Sequence, residues 1–321
     1  MSEKIIAIDK VANKVRFYDP DFTERRAIAG PEPCVHELAL SPDRRLAYVP
    51  LYGDGIYGAN RNPNNKVLVI DTASEEIADL IDLGALVAPH GMAATRDGRL
   101  WITCDIPGKL VCLDPAARRV EAVFDNPSKG GHIVELTPDE TKLYVSAKEG
   151  PLGVFDLAER RFTATVPFAA PGADGIGAGS EGTAVTPDGR QLLVADNDEA
   201  ALHVVDVAGD RTVGRVPLLP RVLTNPRRSR SAKLGFSADG RWLVVTAYAT
   251  GLCWVIDAAD LTHQRIVPVA KGPMGLLFEP QGDSVVVSSH DCGLFTRIDL
   301  ASATPVAAFE GGTGVEVFAW C

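Results

Sequence analysis

The chain has 321 residues, 46% of them hydrophobic, with a formal net charge of −10 and a pI near 5.1. That length suits one large domain of repeats or two ordinary domains. The acidic balance excludes a phosphate-backbone binder, which needs clustered Lys and Arg, so no nucleic-acid partner is expected.

The chain opens on "MSEKIIAIDKVANKVRFYD", an alternation of apolar and polar residues without the apolar core and small-residue cleavage site of a secretory signal. No later run is apolar enough to span a bilayer, so a cytoplasmic protein without a membrane partner is expected. The six cysteines (Cys34, Cys104, Cys112, Cys253, Cys292 and Cys321) form no CxxC pair and suggest no disulfide framework.

Residues 4–29 read as three strands. A repeat then begins near residues 36, 90, 132, 181, 232 and 274, as in "HELALSPDRRLAYVPLY", "HGMAATRDGRLWITCD" and "HIVELTPDETKLYVSAKE". Each copy is an apolar strand, a Ser/Thr-Pro-Asp-Gly type turn and a second apolar strand. In that turn Pro presets φ, and Asp and Gly accept the remaining angles. A third strand ends in Asp ("KVLVIDTAS", "LHVVDVAGD") and a more polar fourth follows ("RFTATVPF"). The spacings, 42 to 54 residues, are those of four-stranded propeller blades or slightly longer. The last apolar strand, residues 315–320 in "GVEVFAW", completes a seventh blade with residues 4–29. The expected fold is all-β: residues 1–321 form a single seven-bladed β-propeller, its ring closed by strands from both termini, which leaves no unpaired edge. A monomer or weak homo-oligomer is expected on the same ground.

The "TPDGRQLLVAD" and "PHGMAATRDGRLWIT" repeats resemble those of the YVTN/lactonase-like and virginiamycin B lyase-like seven-bladed propellers, over essentially the whole chain. The resemblance implies architecture first. Its members include lactone hydrolases, lyases and non-enzymatic binding modules.

First strands of a propeller line the central channel, and the residues at their entry converge on the axis. Counting back six residues from each turn gives His36, His90, His132, Glu181, Ala232 and Met274. For the seventh blade Gly314 matches better than Glu316, two residues deeper. Three of the chain's six histidines thus share one position with a glutamate on consecutive blades. Imidazole and carboxylate ligate Zn²⁺ first, and also Fe²⁺, Mn²⁺ or Cu²⁺, and three or four protein ligands with an open position suit a catalytic ion. Polar channel lining is the alternative reading. Glu181 is a fourth ligand, an orienting carboxylate or a general base.

The loops after the second strands share that face and carry Tyr52, Asp54, Asp105, Lys148, Glu149, Asn197, Asp198, Tyr248, His290 and Asp291. Lys148 could stabilise an oxyanion, and His290 could shuttle a proton. Tyr52 and Tyr248 are candidate substrate contacts. Three long connections, "YGDGIYGANRNPNNK", "AAPGADGIGAGS" and "LPRVLTNPRRSRS", are expected as walls or lids. The third holds Arg221, Arg227, Arg228 and Arg230, which could pair an anionic substrate bidentately. There is no G-x-S-x-G, and Ser180 lacks a nucleophile context. Cys34, two residues before His36, reads as a small apolar residue of the connection, with a metal ligand or reactive thiol as the alternative. His203 and His263 receive no role.

The leading expectation is a metal-dependent enzyme acting on a small carbonyl- or carboxylate-containing molecule. The resemblance implies lactone or ester hydrolysis first and metal-dependent elimination second, with Lys148, His290 or Glu181 taking the proton. An iron or copper redox enzyme and a non-catalytic ligand- or protein-binding propeller are the remaining alternatives.

Overall fold

A computed structural model describes residues 3–168, 179–196, 200–218 and 231–321. The fold is a seven-bladed β-propeller: seven four-stranded antiparallel sheets, and no helix among the described residues. Blade one has strands Ala39–Leu40, Leu46–Gly53, Pro63–Asp71 and Glu76–Asp82, and blades two to six repeat this order along the chain. In the seventh, Val315–Trp320 is the first strand and pairs with Ile5–Asp9, followed by Lys14–Tyr18 and Glu24–Ala29.

The side-chain period of two decides how blades pack. In blade two, Leu100, Ile102 and Cys104 join Tyr48, Val67 and Val69 of blade one, while Trp101 between them joins Leu143, Val145 and Phe155 of blade three. The same division recurs around the ring. Seven apolar clusters each lie between two consecutive blades, including Ile6 and Ile8 of blade seven against Ala47 and Val49 of blade one, and Phe295 of blade six against Tyr18 and Phe22 of blade seven. The fourth strands are mostly exposed, as their polar sequences require.

The repeated turn residues act locally. Asp43, Asp139, Asp188 and Asp239 each accept the hydroxyl of the Ser or Thr two residues earlier, at 2.6–2.7 Å. The position after the Asp takes positive φ, filled by Gly98, Gly189 and Gly240 but by Arg44 and Glu140 in blades one and three. The Asp ending each third strand accepts backbone N–H groups of the next turn, as Asp71 does from Ala73 and Ser74 and Asp299 does from Ser302. These acidic residues are therefore turn caps, remote in role from the channel.

Candidate functional site

Each first strand carries a bulge at its entry. In blade two Pro89 pairs with Cys104 and Met92 with Ile102, so His90 and Gly91 stand opposite Thr103 alone. The register shifts likewise at Gly131/Val134, Ser180/Thr183, Ser231/Leu234 and Pro273/Leu276. Such an extra residue leaves the ladder and re-aims its side chain. The bulge residues lie four positions before the last ladder pair of each strand: His36 before Leu40, His90 before Ala94, His132 before Leu136 and Glu181 before Val185. In blade seven that count gives Glu316, four before Trp320, with a register shift beside it. Gly314, the better match in sequence, lies before the strand and takes φ +93°.

Five consecutive blades, from the seventh to the fourth, thus offer Glu316, His36, His90, His132 and Glu181 at one position. His36 Nδ1 lies 2.9 Å from Glu316 Oε2. The His36 and His90 rings are 4.2 Å apart by centroid, and those of His90 and His132 4.4 Å. All three histidines and Glu316 are buried, and Met274 is half-buried. The side chains of Glu181 and Ala232 lie outside what is described, as do Arg221, Arg227, Arg228, Arg230, Asn197 and Asp198.

Hydroxyls hold the bulges. Thr103 accepts the Gly91 N–H at 2.9 Å and donates to the His132 carbonyl at 2.9 Å, tying one bulge to the site residue of the next blade. Ser288 does the same between Gly275 N–H and the Val315 carbonyl. Ser146 and Thr246 accept the Ile133 and Lys233 N–H groups.

A second ring comes from the inner ends of the second strands: Lys10, Tyr52, Asp105, Tyr248 and His290 follow the innermost pair of theirs, and Lys148 follows the Gly131–Ala147 pair in blade three. Lys10 Nζ is 3.4 Å from His36 Nε2 and 3.7 Å from Glu316 Oε1. The Tyr52 ring leans edge-on against both His36 and His90 at 5.2 Å, and its hydroxyl donates to Asp105 Oδ2 at 2.5 Å. Its ring is a wall of the site and its hydroxyl is committed to Asp105. His290 Nε2 reaches Glu316 Oε1 at 3.5 Å, while its Nδ1 is 3.1 Å from Asp291, which also accepts from Tyr248 at 2.6 Å. Tyr248 therefore stands beside His290 at the rim, and His290 itself reaches the axial row through Glu316.

Burial, reinforced by Lys10, lowers the His36 pKa; for His90 burial and the adjacent His36 and His132 push it well below the ordinary value. Both imidazoles are neutral near pH 7, the form that donates a lone pair. Burial opposes ionisation of Glu316, but His36, His290 and Lys10 outweigh it and keep the carboxylate well below its usual range. The Glu316 carboxylate in turn raises His290 against its burial. Burial lifts Asp105 to about 6 despite the Tyr52 hydrogen bond and the charges of Lys148 and Lys10.

One wall of the mouth is long-range. The loop from Asp54 to Asn62 crosses blade two and sets the Tyr57 hydroxyl 3.2 Å from Glu149 in blade three. Gly130, at φ +61°, leaves room for the Tyr57 ring, since a Cβ there would lie 2.4 Å from it.

Deeper in the channel Glu135 accepts the Val185 N–H at 3.1 Å and the Thr183 hydroxyl at 3.3 Å, and burial raises it to about 7. Between the ordinary carboxyl value of 4.5 and about 7 the folded protein keeps a proton that the unfolded chain releases, so Glu135 lowers stability as pH rises through that window. Glu135→Gln keeps an acceptor without the charge. Urea unfolding should show it about 1–2 kcal/mol more stable than wild type at pH 8 and equal at pH 4, the figure being reduced because the group is partly open to the channel.

His203 is buried with Nε2 2.9 Å from Asp196, a pairing within blade four away from the five-blade row. His263 is exposed in a turn. Cys34 is half-buried and unbonded to any other cysteine.

Lys10, Glu37 and Glu316 are the residues that sequence reasoning missed or set aside. Glu37 follows His36 and pairs with Lys233 Nζ at 2.8 and 2.9 Å. The ligand atoms of His36, Glu37 and Glu316 all come within 4.8 Å of one another, the one such group of three among the described residues.

No family model matches the chain, and no curated protein does. Among solved structures it is similar to Kuenenia stuttgartiensis hydrazine synthase, at 14% sequence identity over 90% of both chains with a TM-score of 0.71. At that identity the likeness is one of fold, and it agrees with the seven-bladed propeller described above.

Proposed function

We propose that the channel mouth is the site of a metal-dependent enzyme for a small carbonyl- or carboxylate-containing substrate, with lactone or ester hydrolysis as the first reaction to test. The observation that carries this reading is the run of imidazole and carboxylate at one bulge position on five consecutive blades. Ligands on rigid strand ends are preorganised, which a reactive site needs. The donor set fits a borderline divalent ion, Zn²⁺ first and Fe²⁺, Mn²⁺ or Cu²⁺ next: neutral imidazoles beside an ionised carboxylate, with the buried His36 Nδ1 2.9 Å from Glu316 Oε2. His36, His90, His132 and Glu316 would supply donors, with Glu181 at the same position in blade four and Glu37 next to His36. The ion would start at His36, Glu37 and Glu316, whose ligand atoms come within 4.8 Å of one another.

A bound ion there would polarise a carbonyl or acidify water. The protein's own groups supply the rest. Lys10 brings a positive charge to the edge of the row, where it can stabilise an oxyanion, and Lys148 is its counterpart in blade three. Asp105, with its pKa near 6, accepts a proton above that value and is held by Tyr52. His290, held by Asp291 and Glu316, is placed to return one. The lyase reading uses the same groups with the proton taken from carbon. The resemblance of the repeats to those of lactonase-like propellers makes hydrolysis the first assay.

A second reading, a non-catalytic binding propeller, draws on the charge balance: Glu316 faces Lys10 and Glu37 faces Lys233, so the two acids already have cations. Elemental analysis of protein purified without chelator separates the two. Close to one equivalent of zinc, manganese, iron or copper, lost in His132→Ala, together with turnover of a lactone or ester panel, is the expected result. Trace metal and no turnover in the wild type would sink the enzyme reading. Iron or copper would announce itself by its spectrum and open the redox alternative.

A further inference from the structure

We infer that Lys10 and Lys233 are tethered competitors for the cation site formed by His36, Glu37 and Glu316, so that a divalent ion binds there by displacing ammonium groups. The inference rests on the proposed cation site and adds what controls its affinity.

Each of the three ligand groups is in contact with a lysine. Lys10 Nζ is 3.4 Å from His36 Nε2 and 3.7 Å from Glu316 Oε1, and Lys233 Nζ is 2.8 Å from Glu37 Oε1. Both lysine side chains are largely buried, 16% and 18% exposed, as are both acids, at 6% and 8%. Two acids and two ammonium groups balance in this low-dielectric space. An added double charge therefore leaves an excess of positive charge unless an ammonium withdraws or gives up its proton.

The placement of Lys233 argues against an ordinary surface pair. Glu37 and Lys233 follow the bulge residues of blades one and five, which are not neighbours in the ring, so the pair spans the channel beneath the imidazoles. Lys10, in turn, leaves one thing unsatisfied. His36 Nδ1 is buried, lies 2.9 Å from Glu316 Oε2, and makes no aligned hydrogen bond. A nitrogen and a carboxylate oxygen brought that close offer two ligand atoms that a cation in the place of Lys10 would share.

The test is calorimetric titration of ZnCl₂ and, separately, MnCl₂ into the full chain as wild type, Lys10→Met, Lys233→Met and Lys10→Arg, with circular dichroism to confirm folding. Each methionine variant should bind the ion about tenfold tighter or more, because a neighbouring positive charge has gone, while Lys10→Arg should match the wild type. Adding Glu316→Gln to Lys10→Met should abolish the gain. Wild-type binding with no gain in either methionine variant overturns this inference and leaves the metalloenzyme reading standing. Binding by the methionine variants alone supports competition and removes that reading. No binding by any variant overturns both. If a methionine variant fails to fold, Lys10→Gln and Lys233→Gln carry the same comparison.

Discussion

His90→Ala should lower the affinity for a divalent ion at least about a hundredfold, beyond the loss typical of removing a group that only supports a ligand. His90 stands in the middle of the row, its ring 4.2 Å from His36 and 4.4 Å from His132, with the Tyr52 ring against it at 5.2 Å. Alanine would therefore remove one proposed donor and also the ring that lies between the other two imidazoles. Met274→Ala changes the same bulge position in blade six, where no ligand stands, and should leave ion binding unchanged. The pair of titrations separates a ligand from mere channel polarity. Equal ion affinity in His90→Ala and wild type would reduce the histidine row to a polar lining. Once a turned-over substrate is in hand, kcat/KM should fall in parallel with ion occupancy, and the Met274 variant again serves as the reference.

How legible the site was in the sequence depends on which residues had a turn to count from. The turns are self-contained, their Ser or Thr hydroxyl bound to the Asp two residues on, so they fix the register of the strands they join. From them the positions of His36, His90 and His132 follow by simple counting. Blade seven has no such turn, because its first two strands come from opposite ends of the chain and meet through Lys4 and Cys321. The count slipped there to Gly314, and Glu316 was left two residues deeper. Lys10 escaped for the same reason: it follows the second strand of a blade whose first strand is about three hundred residues away.

Other parts were present as pattern but needed contacts to interpret. The Ser and Thr residues in "WITC", "YVSA", "VVTA" and "VVSS" look like ordinary strand residues, yet Thr103 and Ser288 bind one blade's bulge to the next blade's backbone. Lys233 in "SAKLGF" and Glu37 in "CVHEL" each read as a polar residue in a strand. Only closure of the ring sets them face to face across the channel. The Asp at the end of each third strand, conversely, is conspicuous in the sequence and proves to be a turn cap.

Gly91→Ala should cost about 2–4 kcal/mol of unfolding free energy, the upper range for overpacking, and Gly91→Val more. The reason is space and not backbone angle, since Gly91 does not take a positive φ. A Cβ there would lie 1.9 Å from the His132 carbonyl oxygen and 2.8 Å from the Ile133 Cα, both backbone atoms that cannot swing aside. Blades two and three would have to part at the bulge, breaking the Thr103 bridge between Gly91 N–H and His132 O and separating the two imidazoles. Gly98→Ala is the matching control: its φ is +83° but a Cβ would meet nothing within 4 Å, so it should cost about 1 kcal/mol and leave ion binding alone. If urea unfolding ranks Gly98→Ala as the costlier change, the blades do not approach as closely as described, and the contact between His90 and His132 on which the site depends falls with it.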